Sequence, residues 1–325
     1  MPTKEVTMIT ISEAASLLRN HDKILLLAHI HPDGDTLGSC FALCHALQDI
    51  GKRARVKCWH DIPPVYGYMF DGLVEDDFEP EYVVTVDVAD LPLLGGGAEV
   101  YGGRIDLCID HHAKSRVIAE NNYVRADAAA CAEIIYDIID RIGTPLTPVI
   151  AACLYTGIAT DTGCFRFSNT TAYTHAVTAK LMELDYDFSE INRLMFDSKT
   201  PQRIALEATV LNNMEYCLDG RCAVSVITLD ELHETGAVEA DLDGINALPR
   251  TVKGVVIGIT VRETSKGVYK VSVRTFAPYD ATEICSLFGG GGHIRAGGCT
   301  VKAESAETAR DMLVKAAGEL LEKTK

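Results

Sequence analysis

Short apolar runs alternate with helical stretches over the first half of the chain. The runs lie at residues 23–29, 82–88 and 105–110, with the sequences KILLLAH, YVVTVDV and IDLCID. The stretches between and after them have helical periodicity and predict helices at residues 36–50, 129–142, 147–160 and 171–184. Wholly apolar strands separated by helices are typical of parallel sheets. The pattern therefore predicts an α/β domain whose parallel sheet carries helices on both faces.

The pattern changes after residue 187. Residues 188–216 carry scattered charge on a helical period, which predicts a helical connector. Strand-like runs follow at residues 221–228, 253–263 and 268–276, and a helix is predicted at residues 305–322. Lys266-Gly267 supplies a hairpin turn between the last two runs. We therefore predict an α/β domain over residues 1–187, a helical connector over 188–216 and a smaller α/β domain over 217–325.

Composition narrows the class of protein. At 325 residues the chain has room for two cores, and no run approaches the roughly 18 apolar residues of a membrane span. The eleven cysteines show no CxxC spacing and several lie in apolar runs, which indicates buried, reduced thiols. We expect a soluble, cytoplasmic protein without a membrane partner. The net charge of −16 argues against binding long duplex nucleic acid by counterion release.

Acidic and histidine side chains follow the first two apolar runs. In AHIHPDGDTLGS, the residues His29, Asp33 and Asp35 lie between a predicted strand and a predicted helix. Pro-Asp-Gly-Asp is equally good turn and N-cap chemistry, so this segment alone does not separate a turn from a metal site. Asp87 ends the second run, where a buried carboxylate needs a partner because an unpaired buried charge is costly.

Two further segments add the same chemistry. Asp110, His111 and His112 end the third run, and Asp161 follows an apolar helix. Each segment alone is commonly a loop-edge feature. Together the four segments deliver Asp and His to one sheet edge, where open α/β folds bind their ligands. Oxygen and imidazole donors without a thiolate favour Mn²⁺ or Mg²⁺ over Zn²⁺ or Co²⁺, and their number suffices for two ions that share one carboxylate.

The four segments, in this order, resemble the motifs of the DHH phosphoesterase superfamily, which is named for the tripeptide Asp110-His111-His112. GGGGHIRAGG, with Arg274 ahead of it, resembles the type-1 DHH-associated domain. The resemblance makes residues 1–187 a DHH catalytic metal-binding domain and residues 217–325 a substrate-binding domain. The two-domain length is most similar to the oligoribonucleases, or nanoRNases, that also dephosphorylate 3′-phosphoadenosine 5′-phosphate (pAp). It implies a two-metal hydrolase that degrades short oligoribonucleotides to mononucleotides and dephosphorylates nucleoside 3′,5′-bisphosphates.

The resemblance also implies roles for individual residues. One ion would be held by His29, Asp33 and Asp87, and the other by Asp35, Asp87, His111 and Asp161. Asp110 would orient its neighbours, and His112 would face the scissile phosphate. Substrate contacts are expected from Arg274, Gly290, Gly291, Gly292 and His293. The expected cofactors are two divalent cations, with Mn²⁺ preferred and Mg²⁺ or Co²⁺ as alternatives.

Three other functions stay open at this point. A phosphodiesterase for linear or cyclic dinucleotides, such as pApA, pGpG or c-di-AMP, would use the same site. An inorganic pyrophosphatase is disfavoured by the glycine-rich segment, and a catalytically inactive nucleotide sensor by the six filled ligand positions. The expected partners are short single-stranded RNA, dinucleotides and nucleoside bisphosphates. The sequence leaves the oligomeric state open, with a homodimer as one option.

Overall fold

The computed structural model describes residues 6–116, 118–242 and 244–323. The chain divides into two compact units between Ser198 and Lys199. This point of division lies within the predicted connector. Helical residues occupy much of that stretch, with one helix ending at Asn192 and the next beginning at Pro201. Within the described part of the chain, no helix has the length and apolar character that crossing a bilayer requires.

Six parallel strands form the sheet of the first unit, in the order β1-β6-β5-β4-β2-β3. The strands are β1 (Thr7–Met8), β2 (Ile24–Leu27), β3 (Ala54–Lys57), β4 (Tyr82–Val86), β5 (Leu107–Asp110) and β6 (Asn121–Val124). The α-helices are α1 (Ile11–Asn20), α2 (Gly34–Asp49), α3 (Gly96–Tyr101), α4 (Cys131–Ile142), α5 (Pro148–Asp161), α6 (Ala172–Leu181) and α7 (Phe188–Asn192). Shorter helical turns lie at Pro64–Phe70, Leu91–Leu94 and Arg193–Asp197.

The interior strand β2 shows that this sheet is covered on both faces. Ile24 and Leu26 belong to the large cluster formed with α2, α4 and α5, whereas Leu25 and Leu27 belong to a second cluster on the opposite face. Successive residues of a strand point to opposite faces. Since all four side chains are buried, both faces of the sheet are covered. The predicted fold class is confirmed. The sequence analysis did not identify β3 and β6, whose sequences ARVK and NNYV contain no apolar run.

Glycines set the distance between α2 and α5. A Cβ atom on Gly38 would overlap the carbonyl oxygen of Cys153, and one on Gly157 would lie 2.9 Å from Oδ1 of Asp35. The backbones of the two helices can therefore approach closely only because these positions lack side chains. The approach matters for function because the first turn of α2 contains Asp35 and the last residue of α5 is Asp161.

The second unit contains a mixed sheet in the order β11-β12-β10-β9-β8-β7, in which only the β8–β9 pair is parallel. Its strands are β7 (Glu215–Cys217), β8 (Cys222–Ile227), β9 (Ile257–Ser265), β10 (Val268–Thr275), β11 (Gly291–His293) and β12 (Ala296–Lys302). Its α-helices are α8 (Pro201–Asn212), α9 (Leu229–Thr235), α10 (Ala281–Ser286) and α11 (Ala306–Lys323), and short 3₁₀ helices lie at Glu239–Leu242 and Ile245–Thr251.

One face of this second sheet packs on α10 and α11 through residues such as Ile284 and Leu313. The predicted hairpin turn at Lys266-Gly267 joins β9 to β10, and Gly267 has a positive φ of 74°. The glycine-rich segment, for which the sequence analysis predicted no strands, forms the antiparallel pair β11–β12. Gly290 just before it has no room for a side chain, because a Cβ there would overlap Cys299.

We predict that Gly38→Ala destabilises the first unit. The added methyl group overlaps a backbone oxygen that cannot rotate away, and such overpacking costs about 1–3 kcal/mol. The matched control is Gly318→Ala in α11, where the new Cβ would lie 3.4 Å from Leu218, an ordinary contact. Alanine is also the better helix former at both sites. Thermal unfolding of the two variants measures the difference. Equal midpoints would show that α2 and α5 do not depend on this glycine contact.

Candidate metal centre

The candidate centre lies where three neighbouring parallel strands end. His29 follows β2, Asp87 follows β4, and Asp110 is the last residue of β5. Asp33 is the N-cap of α2, with its Oδ1 accepting hydrogen bonds from the backbone N–H groups of Asp35 and Thr36 at 3.1 and 3.0 Å. The turn chemistry of this segment is therefore present. It leaves the second carboxylate oxygen of Asp33 available to face His29.

A first group of donor atoms comes from His29, Asp33 and Asp87. Nε2 of His29 lies 3.6 Å from Oδ2 of Asp33 and 3.8 Å from Oδ2 of Asp87. One ligand atom from each residue falls within 4.8 Å of the others, which is the spacing of donors around a single ion. The group combines two carboxylates with one imidazole.

A second group surrounds the imidazole of His111. Its Nε2 lies 3.6 Å from Oδ2 of Asp35, 3.5 Å from Oδ1 of Asp87 and 3.7 Å from Oδ2 of Asp161. Asp35, His111 and Asp161 offer atoms within 4.8 Å of one another, as do Asp87, His111 and His112. Asp87 faces the first group with Oδ2 and the second with Oδ1. The six predicted ligands are thus brought together, with Asp87 between the two groups.

Asp87 is held in an unusual environment. Its side chain is 3% exposed, its Oδ1 has no hydrogen-bond partner in the described structure, and its backbone φ is +61°. The backbone N–H still donates to the carbonyl oxygen of Ile109 at 2.9 Å. Burial, followed by repulsion from Asp35 and Asp33, raises the pKa of Asp87 well above its ordinary value. A cation bound at Oδ1 would remove both the repulsion and the unsatisfied acceptor.

Asp35 is anchored by the N-terminus of α4. Its Oδ2 accepts from the backbone N–H of Cys131 at 2.6 Å, and its Oδ1 accepts from the N–H of Ala132 at 2.9 Å. The first N–H groups of a helix have no partner within the helix and carry partial positive charge, so they favour a carboxylate. The arrangement fixes the orientation of Asp35 while Oδ2 still faces His111.

The two adjacent histidines are oriented by different partners. Nδ1 of His111 lies 3.2 Å from the carbonyl oxygen of Ala128, which makes Nδ1 the donor and leaves Nε2 as a lone-pair ligand facing the carboxylates. Nδ1 of His112 contacts Oδ1 of Asp110 at 2.7 Å. Asp110 also accepts from the backbone N–H of His111 at 2.8 Å. The hydrogen bond that His112 donates to Asp110 raises the pKa of His112, whose side chain is 41% exposed.

The sequence analysis missed one residue that supports this centre. Nδ2 of Asn169 lies 2.9 Å from the carbonyl oxygen of Ala129 and 3.1 Å from that of Asp161. It therefore ties the end of α5 to the segment that also receives the hydrogen bond of His111. Asn169 is in the loop that follows Asp161, in SNTT, and its position eight residues beyond Asp161 was the only sequence signal for it.

The charge balance of the centre fits divalent cations. Five carboxylates, from Asp33, Asp35, Asp87, Asp110 and Asp161, lie at this one edge. Burial raises the pKa of Asp35, and burial together with the charge of Asp35 raises that of Asp161 to about 7. Without cations these groups oppose one another. Carboxylate and imidazole donors are the set that suits Mn²⁺ and Mg²⁺, and no cysteine belongs to any of these groups.

The predicted substrate contacts all lie in the second unit. Arg274 is on β10, and its register partner across the sheet is Ala296 of β12. Gly291 and Gly292 are on β11 and Gly290 just precedes it. His293 ends β11, but its side chain lies outside what the structure describes. Thr275, beside Arg274, is fully buried, and its hydroxyl lies 2.7 Å from the carbonyl oxygen of Tyr279.

Comparisons with known proteins identify relatives. The chain matches the DHH family, N-terminal domain, over residues 23–158 and the DHHA1 domain over residues 219–322. It is 33% identical over 306 residues to the bifunctional oligoribonuclease and PAP phosphatase NrnA of Thermus thermophilus. The alignment covers 92% of this chain and 90% of that protein. The resemblance inferred from the motifs is confirmed.

Two solved structures share the fold. An exopolyphosphatase-related protein from Bacteroides fragilis superposes with a TM-score of 0.86 at 23% identity, over 95% of both chains. RecJ from Thermus thermophilus, solved with Mn²⁺, gives a TM-score of 0.56 at 16% identity over 98% of this chain and 56% of that chain.

We predict that Asp87→Asn removes metal-dependent activity. Asparagine keeps the size of the side chain and tolerates the positive φ, but it removes the charge that faces both donor groups. Turnover of bis-(p-nitrophenyl) phosphate in Mn²⁺ should fall by at least about 100-fold, the upper end of what loss of an outer partner costs. Calorimetry should show weaker Mn²⁺ binding. The control is Asp71→Asn, an exposed carboxylate. Full Mn²⁺ occupancy and near-normal activity in Asp87→Asn would contradict a shared ligand.

We predict opposite balances for the two adjacent histidines. His111→Ala should lose Mn²⁺ affinity, because Nε2 of His111 faces three carboxylates. His112→Ala should keep most of that affinity and lose kcat by about 100- to 1,000-fold, as when a transition-state contact is removed. His233→Ala, an exposed histidine of the second unit, is the control. Titration with Mn²⁺ and steady-state kinetics measure both quantities. Equal loss of metal in the two variants would rule out separate roles.

Proposed function

The chain belongs to the DHH family and is a metal-dependent phosphoesterase, and we propose that it degrades short oligoribonucleotides to mononucleotides and dephosphorylates nucleoside 3′,5′-bisphosphates such as pAp. The observation that carries the proposal is the pair of Asp/His groups that meet at Asp87. The substrate class is supported by the relative at 33% identity, whose name gives both activities.

The proposed ligands divide between two ions. His29, Asp33 and Asp87 hold the first, and Asp35, Asp87, His111 and Asp161 hold the second. We propose Mn²⁺ because the donors are mainly carboxylate oxygens with one imidazole for each ion, with Mg²⁺ and Co²⁺ as alternatives. When bound, such a pair of cations neutralises phosphate oxygens and makes a water molecule more acidic.

His112 is the proposed catalytic histidine. Its Nδ1 is engaged by Asp110, which leaves Nε2 as the nitrogen that meets the substrate. Asp110 raises the pKa of His112, so a larger fraction of the imidazole is protonated at neutral pH and able to donate to a phosphate oxygen. Asp110 acts through this hydrogen bond, which fixes both the ring orientation and the tautomer.

We propose that the two domains divide the work. Residues 1–187 hold the metal ions, and residues 217–325 contact the substrate through Arg274, Gly290, Gly291, Gly292 and His293. Glycines permit backbone N–H groups to approach a phosphate without obstruction by side chains, and arginine can bind phosphate with two parallel hydrogen bonds. The proposed partners are short single-stranded RNAs and nucleoside bisphosphates. The net charge of −16 disfavours long duplexes.

We also propose a cytoplasmic location. All eleven cysteines are free thiols and most of them are buried. Burial raises the pKa of several of them, including Cys44 and Cys108, each to about 12. Such thiols are packing residues rather than nucleophiles, and unpaired thiols in this number suit a reducing compartment.

The test is a comparison of kcat/KM in Mn²⁺ for pAp, a trinucleotide, pApA and cyclic di-AMP. We expect turnover of pAp and of both linear oligonucleotides, with mononucleotides as the products. Cyclic di-AMP should react at least about tenfold more slowly, since the proposed second-unit contacts recognise a terminal phosphate. The Asp87→Asn protein, purified in parallel, controls for contaminating nucleases. A marked preference for the cyclic dinucleotide, or no release of phosphate from pAp, would replace the proposal with the dinucleotide phosphodiesterase.

A further inference from the structure

Arg274 has no carboxylate partner among the described residues. Its guanidinium is half-buried on β10, and the one hydrogen bond found for it in the described structure goes from Nη1 to the carbonyl oxygen of Val273 at 3.1 Å. Burial and the nearby charge of Arg250 lower the pKa of Arg274. Holding a cation in this way is unfavourable unless an anion completes the site.

Arg250 lies beside it for a structural reason. The residue is in the 3₁₀ helix Ile245–Thr251, which packs on β9 at Gly258, and Gly258 is the register partner of Arg274. A Cβ on Gly258 would lie 2.8 Å from the backbone nitrogen of Arg250. Because register partners point to the same face of a sheet, Arg250 covers the face on which Arg274 stands. Gly258 allows this close approach.

An exposed aromatic ring completes the surface. The guanidinium carbon of Arg250 lies 4.9 Å from the ring centroid of Phe276, and this is the one side-chain partner recorded for Arg250 among the described residues. Phe276 is 47% exposed, so much of its ring is open to solvent and can contact a ligand. Phe276 follows Arg274 by two positions.

Three other arginines of this unit have carboxylate partners, whereas Arg221 and Arg295 donate hydrogen bonds to Tyr279. Arg203 pairs with Glu207 at 3.2 Å, Arg310 pairs with Glu215 at 2.7 Å, and Arg262 pairs with Glu239. In the described part of the unit neither Arg250 nor Arg274 has such a pair. Two neighbouring guanidiniums without a carboxylate repel each other, and a dianion between them would remove that repulsion. Guanidinium is also the group best matched to the geometry of phosphate.

We infer that Arg250 joins Arg274 in a subsite for the terminal phosphate of a nucleotide, and that the exposed ring of Phe276 forms a stacking surface for the adjacent base. The inference rests on the proposed function for its substrate class and adds two residues to the recognition site. Arg250 and Phe276 are specificity-determining residues in this assignment, since neither belongs to the metal centre. Stacking on an aromatic ring tolerates any base, which suits an enzyme that degrades mixed sequences.

The subsite is tested by binding of 5′-AMP and of adenosine to the full-length protein in Mn²⁺, measured by calorimetry. Both ligands lack the phosphodiester bond and the 3′-phosphate of the proposed substrates. Arg250→Ala should lower the affinity for AMP by about 10- to 100-fold, as expected for loss of a charge-assisted contact. The same variant should change the affinity for adenosine by less than about threefold. Arg250→Lys should recover part of the AMP affinity. Phe276→Ala should lower the affinity for both ligands by a similar factor, since each presents the same base.

Arg310→Ala is the matched control, because it removes an arginine of the same unit that has a carboxylate partner. Thermal unfolding checks that each variant is folded. Unchanged AMP affinity in both Arg250→Ala and Arg250→Lys overturns the phosphate subsite, as does a wild-type protein that binds AMP no better than adenosine. An equal loss of AMP and adenosine affinity in Arg250→Ala would assign Arg250 to base stacking alone and would also overturn it.

The same variants separate this inference from the proposed function. Wild-type and Arg250→Ala proteins are compared on pApA and on ApA, which differ only in the 5′-phosphate. A loss of kcat/KM confined to pApA supports the subsite. If the wild type cleaves neither dinucleotide but AMP binding still depends on Arg250, the proposed substrate class is wrong and the subsite stands. If the wild type cleaves both and Arg250→Ala matches it on both, the subsite is wrong and the proposed function stands.

Discussion

Repulsion among carboxylates at one edge of a parallel sheet is the constraint around which the first unit is organised. Asp35 and Asp87 are almost fully buried, and their pKa values are raised by burial. A cluster of this kind lowers the stability of the fold unless other groups compensate for its charge. Compensation comes from helix N–H groups, from imidazoles and, in the proposed function, from two divalent cations.

The packing of helices decides which carboxylates can meet. Asp35 and Asp161 belong to different helices, and they reach the same imidazole because Gly38 and Gly157 allow α2 and α5 to approach closely. The N-terminus of α4 then holds Asp35 in place with two hydrogen bonds. The metal centre therefore depends on small residues that carry no chemistry of their own. A methyl group in the gap between the two helices would displace Asp35 or Asp161 from the candidate centre.

The second unit has the opposite electrostatic problem. Arg250 and Arg274 are positive, lie side by side and have no carboxylate partner within the described structure. The carboxylates of the first unit are complementary in charge to divalent cations. The two guanidiniums of the second unit are complementary in charge to phosphate. Each unit thus stores electrostatic free energy that ligand binding can release.

The sequence by itself determined much of the fold and the chemical identity of the site. The apolar runs at β2, β4 and β5 and the helical periods between them predicted the parallel sheet, because the side chains of a buried strand must be apolar on both faces. The positions of His29, Asp87 and Asp110 at the ends of these runs predicted that they meet, since parallel strands end at a common edge. The polar strands β3 and β6 were missed because their place in the sheet comes from backbone pairing, not from an apolar pattern.

Only the tertiary structure decided how the site residues are held. The hydrogen bond from Cys131 to Asp35 spans 96 positions, and Asn169 reaches the segment around Ala129 across 40. The same is true of the second unit, where Arg250 reaches Arg274 only through the packing of a 3₁₀ helix on Gly258. These contacts join residues whose own neighbours along the chain give no sign of them. The residue type and the local pattern of apolar positions predict which side chain is present and on which face of its strand or helix it lies. Which distant groups it meets is fixed by how the helices and strands pack.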